Sequence, residues 1–436
     1  MAPTNDFNEK MTEVNSPKPQ GAKKLSFASV LRIRNFVFLS LSGAVSQLGD
    51  RFTHMLLITL IESYRPRSSF AYSQASITFT LPNLLLAPFV GVLVDRWEKK
   101  GIMIKAHYLQ AFILFFTPFL IYLTKSFLPV FFVLFLFFGI DLFNNTAKPS
   151  LIPVVVAKRK LLLANSLDTT FTRMATVFGM VIGGFLIKWA GWRLGFFINA
   201  LTHFTAGSLI LGMKLPPIPS ASAPIKRPLK EELLFGFREF LVKIRELLLY
   251  LFKEKIVLFV ISSIFLLAAI ASFSYAVLIF LIQQILRLGT SGVGIFAGIL
   301  AVGMITGSFL LSLIKPEINK KLLILYSLIP FSFLFLIGSF LIKIWFMVLV
   351  GIVAGILFSI ITICQNTILH EEVPEYIRGR IFATKEFLNN LGFILTVFPI
   401  GLLADLTSCK AMLFLSGLSI LFISILGIIY LRRWKS

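Results

Sequence analysis

Long apolar runs separated by short polar breaks fill most of this chain. A bilayer core about 30 Å thick takes about 20 apolar residues per helical span. Twelve runs reach that length: 36–61, 71–93, 102–124, 128–147, 164–187, 192–213, 256–284, 290–314, 322–342, 344–369, 381–404 and 410–431. Stretches such as FFVLFLFFGI and LSILFISILGIIYL lack the polar face that a helix on a soluble core would show. The pattern therefore predicts an all-α membrane protein with twelve transmembrane helices.

Composition agrees. Hydrophobic residues make up 57% of the chain and charged residues 14%, with a mean hydropathy of +0.88. Residues 1–35 are polar and read as a disordered cytoplasmic tail, and the first apolar run is long enough to span, so no cleaved signal peptide is expected.

The net charge of +22 would point to nucleic acid in a soluble chain, but its distribution changes that reading. With the N-terminus and the even-numbered loops on one side, that side collects 32 of the 42 Lys and Arg residues. By the positive-inside rule both termini are cytoplasmic, with anionic lipid headgroups as secondary partners. No nucleic-acid partner is expected. The two cysteines, Cys364 and Cys409, have no disulfide or metal spacing and read as packing residues.

The longest break, 214–255, opens with LPPIPSASAPIKRP and continues with an amphipathic helical pattern. It is expected to lie on the membrane surface and join an N-terminal bundle, 36–213, to a C-terminal bundle, 256–431, with 432–436 a short cytoplasmic tail. An offset of 218 residues places Ser166, Asp168 and Gly183 on Thr384, Glu386 and Gly401. This weak repeat favours two pseudo-symmetric six-helix bundles.

Between the second and third spans stands GVLVDRWEKKG, Gly91 to Gly101. It resembles the signature loop of the major facilitator superfamily: Gly91, Leu93, Asp95, Arg96, Lys99 and Lys100 match, and Glu98 replaces the second glycine. An acidic residue there is common in the branch similar to macrolide efflux proteins and siderophore (enterobactin) exporters. LPNLLLAPFVGVLVDR, NNTAKPSLIPVVVAKRKLLLANSL and NTILHEEVPEYIRGRIFA point the same way. The resemblance implies the major facilitator fold and a cytoplasmic gate, to which Gly91, Asp95, Arg96, Lys99, Lys100, Asp168 and Glu386 are assigned. On physical grounds Gly91 would permit close helix approach, Asp95 would cap or pair, and the cations would hold carboxylates or headgroups. A plain positive-inside anchor is the alternative for the loop, and solvation the alternative for Asp168 and Glu386.

An unpaired ionisable group within a span costs about 2.5–3.5 kcal/mol on insertion scales. Asp50 and His54 share one face of the first helix, with Gln47 one turn earlier and Arg51 about 100° away. A carboxylate balanced between desolvation and a nearby cation can bind and release a proton, which makes Asp50, His54 and Asp141 the proton-coupling candidates. The alternative for Asp50 is a static contact with Arg51 or another helix. Arg51 and Arg173 are the intramembrane ion-pair candidates: Arg173 could meet Asp141, or Asp141 could contact the signature loop. Gly179, Gly183 and Gly184 resemble the family's antiporter motif, although Met180 stands where it has proline, and they serve equally as packing glycines.

The amides Gln47, Asn144, Asn145, Asn199, Gln365, Asn366 and Asn389 would be satisfied around a central cavity. His107 and His203 read as ordinary helix contacts. The expected function is secondary-active transport by alternating access, as proton-coupled efflux of hydrophobic or amphiphilic small molecules such as a drug, siderophore or lipid-like compound. Uptake or facilitated transport of a metabolite by the same fold is the alternative. A membrane enzyme or scaffold fits less well, since the chain has no zinc, acyltransferase or phosphate-loop motif. No catalytic residue, metal or cofactor is expected. The protein should be a monomer in a bacterial inner membrane.

Overall fold

The computed structural model describes residues 26–126, 128–215, 255–313, 318–373 and 375–433, with isolated positions between 216 and 254. Its long helices are α1 (Arg34–Tyr64), α2 (Ser69–Arg96), α3 (Lys99–Thr124) and α4 (Leu128–Val155). The 51-residue stretch Leu161–Leu211 breaks at Gly191 (φ 73°, ψ 165°), giving α5 (161–190) and α6 (192–211). Positive φ is free for glycine and strained for other residues, so this single position separates two spans. The second half comprises α7 (Lys255–Ile285), α8 (Gly289–Ser312), α9 (Lys320–Phe340), α10 (Ile344–Glu372), α11 (Glu375–Leu406) and α12 (Cys409–Arg433).

Among the described residues, nine helices are long and apolar enough to cross a membrane, and α2, bent by 63°, makes a tenth. One of the nine is the α5–α6 pair. α1, 31 residues long, completes the twelve although Asp50, Arg51 and His54 lower its hydropathy. An even number of spans leaves both ends of the described chain on one side, here the terminal face; the opposite side is the distal face.

Close packing inside each bundle depends on small residues. A Cβ on Gly355 would lie 2.2 Å from Leu300 O, and one on Gly303 2.3 Å from Ile352 O, so α8 and α10 touch backbone to backbone. Gly179 does the same for α5 against Leu48 of α1. The bundles meet along two seams. Gly184 of α5 lies against Thr290 and Ser291 of α8, and Gly401 of α11 lies against Phe70 and Ser73 of α2.

Three local expectations change. The end of the expected disordered tail is ordered: Phe27–Leu31 is a helix, Val30 is fully buried, Lys160 Nζ donates to Ser29 O at 2.9 Å, and Asn35 Nδ2 donates to Lys214 O at 2.7 Å. Lys148, one residue beyond the expected fourth span, lies inside α4. Gly91 permits no close approach, because a Cβ there would meet nothing within 4 Å. The amphipathic linker segment falls almost wholly outside the described residues.

Candidate functional site: a polar cavity between the halves

A cavity of about 310 Å³ lies between the bundles. Gln47, Asp50, Arg51 and His54 of α1, Phe79, Thr80 and Asn83 of α2, and Phe138, Asp141 and Asn145 of α4 form most of its wall. α11 contributes Asn389, Asn390 and Phe393.

The charges in the wall come in a fixed order. The Arg51 guanidinium acts on both Asp50 and Asp141. Gln47, with its amide oxygen turned to Arg51, accepts from Nε at 2.9 Å and Nη2 at 2.7 Å. Asp141 Oδ2 accepts from Asn145 Nδ2 at 2.6 Å, one helical turn away on α4. His54 is set among aromatics, 4.8 Å from the Phe79 ring and 5.1 Å from that of Phe138. Phe79 in turn meets Tyr275 at 5.2 Å and Phe393 at 6.2 Å, so aromatic rings from both halves close one side of the cavity.

Beyond those rings the distal ends are tied together. Glu62 Oε2 accepts from Gln283 Nε2 at 2.8 Å and Thr290 Oγ1 at 3.2 Å. Tyr72 OH donates to Gln283 Oε1, and Thr59 Oγ1 meets Thr290 Oγ1 at 2.7 Å. Asp405 of α11 caps the start of α2: Oδ1 accepts from Ser69 N at 2.6 Å, and Oδ2 accepts from Ser68 Oγ at 2.7 Å and Phe70 N at 3.2 Å. The α7 stretches Ser274–Leu278 and Leu281–Ile285, which carry Tyr275 and Gln283, are π-helical, a form often found where a helix serves function.

Several candidates sit elsewhere than expected. Arg173 is exposed on α5 and makes no ion pair with Asp141 among the described residues. Asp141 faces the cavity rather than the signature loop, because its turn of α4 points to the bundle interface. Asp168 is neither solvated nor bonded to that loop; its Oδ1 lies 2.9 Å from Lys148 Nζ, with both side chains 14% exposed. Glu386 is exposed, and its neighbour Lys385 donates to Asn366 Oδ1. The repeat offset places Lys148 on Asn366, and each half joins this helix pair through a polar contact, but the second-half partner is Lys385, one residue before the Glu386 that matches Asp168. Asp95 is exposed, Arg96 and Lys99 are half-buried, and Lys100 Nζ donates to Met213 O at 2.8 Å beyond the end of α6.

Of the amides, Gln47, Asn145 and Asn389 line the cavity. Asn199 donates to Thr53 Oγ1 at 2.7 Å and Gln365 to Ser263 Oγ at 3.0 Å, so both pin helices within one bundle instead. Asn366 is held by Lys385, and Asn144 lies behind the wall, donating to Gln110 Oε1 at 3.0 Å. Sequence reasoning missed the distal contacts entirely. The pair Gln283–Gln284 within an otherwise apolar run was the available signal.

Two six-helix halves of a membrane protein enclosing a polar cavity at their seam define the class of membrane transporters with internal repeats. A family model described as Major Facilitator Superfamily matches residues 39–396, and the chain belongs to that family. It is 25% identical over 236 residues to "Uncharacterized MFS-type transporter YkuC" of Bacillus subtilis, covering 52% of each chain. It is 26% identical over 194 residues to "Putative bacilysin exporter BacE" of the same species, covering 44% of this chain and 47% of that one. The chain thus spans about half the length of the curated relatives it matches. In fold it is similar to a bacterial homolog of the human lysosomal transporter Spinster, crystallised inward-facing and unoccupied: TM-score 0.66, 15% identity, covering 93% of this chain and 96% of that one. The nucleoside transporter NupG gives a TM-score of 0.64 at 17% identity, covering 89% and 98%.

Proposed function

We propose that the protein exports amphiphilic small molecules in exchange for protons, with Asp50 as the coupling carboxylate. The observation that carries this reading is Asp50 itself, buried at the cavity wall beside Arg51 and Asp141. A buried carboxylate facing a cation and a second carboxylate can lose and regain a proton as water reaches it from alternate sides. The match to a protein described as an exporter supports the direction of transport. The charge asymmetry supports a cytoplasmic terminal face in a bacterial inner membrane; the tied distal ends then correspond to a closed outer gate. Two carboxylates, one guanidinium, five amides and three phenyl rings suit an amphiphile carrying a basic group.

Proteoliposomes loaded with ethidium, an amphiphilic cation, test the proposal. A pH gradient should drive flux in the parent protein. Asp50→Asn should abolish gradient-driven flux while thermal melting shows the fold intact. Gradient-driven flux unchanged in Asp50→Asn overturns the coupling role, and flux indifferent to the gradient in the parent protein points to facilitated transport.

A further inference from the structure

Behind the cavity, inside the N-terminal bundle, polar atoms gather without enough partners. His203 of α6 is fully buried, and its Nε2 lies 3.7 Å from Asp50 Oδ1. Neither His203 nitrogen has a hydrogen-bond partner among the described residues; the same holds for Asp50 Oδ1, His107 Nε2 and Asn144 Oδ1. The rings of His203 and His107 are 6.1 Å apart, and His107 Nδ1 is 3.3 Å from Asn144 Nδ2. A second pocket of about 40 Å³, lined in part by Ser46, Asp50, His107, Asn144, Lys148 and Thr172, leads from Asp50 toward Lys148 on the terminal side. A cavity needs about 10–15 Å³ to accept one water, and a buried water makes about three hydrogen bonds to polar groups that lack partners. Buried side-chain polar atoms are seldom left unmatched, and five gather in this cluster, a setting that suits bound water.

Two helices are brought together here at a glycine. A Cβ on Gly49 would fall 2.9 Å from His203 Nε2, 2.7 Å from Asn199 Oδ1 and 2.2 Å from Thr202 Oγ1, so only glycine lets α1 approach α6 closely enough to set Asp50 beside His203. The other groups facing the pair are fixed. Phe137 of α4 meets the His203 ring edge-on at 5.1 Å. His107 of α3 is its titratable neighbour, Lys148 of α4 acts on His107, and Arg51 and Asp141 act on Asp50 from the cavity side.

We propose that His203 and Asp50 hold one transported proton between them, and that His107 and the pocket waters form its path, separate from the surface that holds cargo. The balance is simple. Asp50 as carboxylate and His203 as neutral imidazole take one proton from water in the pocket. It resides on Asp50 Oδ1 or on His203 Nε2, and it leaves to water when the opposite face opens. Cargo can then occupy the wall formed by Asn83, Asn389 and the phenyl rings while the proton lies behind Asp50. The inference deepens the proton-coupled reading and rests on it.

The test needs no cargo. The chain has four histidines, His54, His107, His203 and His370, so full-length protein labelled with ¹⁵N-histidine gives a small set of imidazole signals, assigned by single substitution. With ¹³C-carboxyl aspartate added, the protein is titrated in lipid nanodiscs from about pH 4.5 to about pH 9.5. Asp50 and His203 should change at a common midpoint, as interacting groups do. Asp50→Asn should move the His203 transition by about one pH unit or more, and His203→Gln should move that of Asp50, while the His370 signal stays put. Should His203→Gln fail to fold, Asp50→Asn alone carries the comparison. A His203 signal that is invariant with pH, or a His203 midpoint unchanged in Asp50→Asn, overturns the proposal. If Asp50 titrates alone and gradient-driven flux persists in His203→Gln, only this inference fails; if flux ignores the gradient, the coupling reading itself fails.

Discussion

Gln283 Nε2 donates to Glu62 Oε2 across 2.8 Å, joining the distal end of α1 to that of α7. The contact crosses the seam between two halves that must separate for the distal face to open. Glu62 is held here by the uncharged Gln283 and Thr290, so the tie is a set of hydrogen bonds that can break and re-form at modest cost. A net hydrogen bond contributes about 0.5–1.5 kcal/mol. Gln283→Ala should therefore reduce the ratio of distal-closed to distal-open molecules by about fivefold per bond lost. Spin labels at Ser63→Cys and Lys410→Cys, in a background lacking Cys364 and Cys409, should report a larger long-distance population in that variant. An unchanged distance distribution would show that the tie does not hold the gate.

Asp405 closes the second seam through two backbone N–H groups at the start of α2 together with the Ser68 hydroxyl. A carboxylate on a helix N-terminus is stabilised both by the free N–H groups and by the helix dipole, and loss of such a cap costs about 1–2 kcal/mol. Asp405→Ala should open the distal face in the same distance measurement. Thr407→Ala, which removes only a bond back to Leu403 O in the last turn of α11, should leave it closed.

Lys148 and Asp168 join α4 to α5 while 14% exposed. Asp168→Asn leaves the ammonium with a neutral partner and Thr172 Oγ1 at 3.5 Å. The expected destabilisation is about 1–3 kcal/mol, read as a lower thermal midpoint. Lys148→Met combined with Asp168→Leu should recover most of it, since replacing a partly buried pair by apolar groups is often neutral. A double variant no more stable than Asp168→Asn would mean that the charges themselves are needed.

Glycines separate by what surrounds them. Gly91→Ala should change stability by less than about 0.5 kcal/mol, because the new methyl meets open space within a helix. Gly355→Ala should lower the thermal midpoint strongly, since its Cβ would fall 2.2 Å from Leu300 O and 2.9 Å from Gly303 Cα, and backbone cannot step aside. Melting of the two purified variants side by side decides between them.

The spans, their number and the unequal distribution of Lys and Arg follow from the sequence because a bilayer admits only long apolar helices whose backbone bonds are satisfied internally. Asp50 was legible as an anomaly for the same reason: a charge in such a run stands out. Its partner was not. Helical periodicity places Asp50, His54 and Gln47 on one face, but no local rule says that His203, in another helix, stands opposite.

The same limit explains the misplaced candidates. Asn199, Gln365 and Asn366 have the composition of cavity residues, yet their faces turn into a bundle where another polar side chain already waits. Arg173 could meet Asp141 by its position along the chain, but that position leaves rotation about the helix axis undetermined, and the packing of α5 on α1 through Gly179 turns Arg173 outward. Glu62, Gln283 and Asp405 lie at helix ends, where polar residues are unremarkable until two ends from different halves are brought together.

By itself the sequence determined the twelve-helix membrane fold, the likeness of its halves and the presence of charge in the first span, because solvation by lipid constrains each segment separately. Only the tertiary structure decided which carboxylates share a cavity, that a histidine stands behind one of them, and that the halves are tied at the distal face. Those facts depend on how helices rotate and pack against partners far away in the chain, a choice made by glycine contacts and side-chain shape rather than by hydropathy.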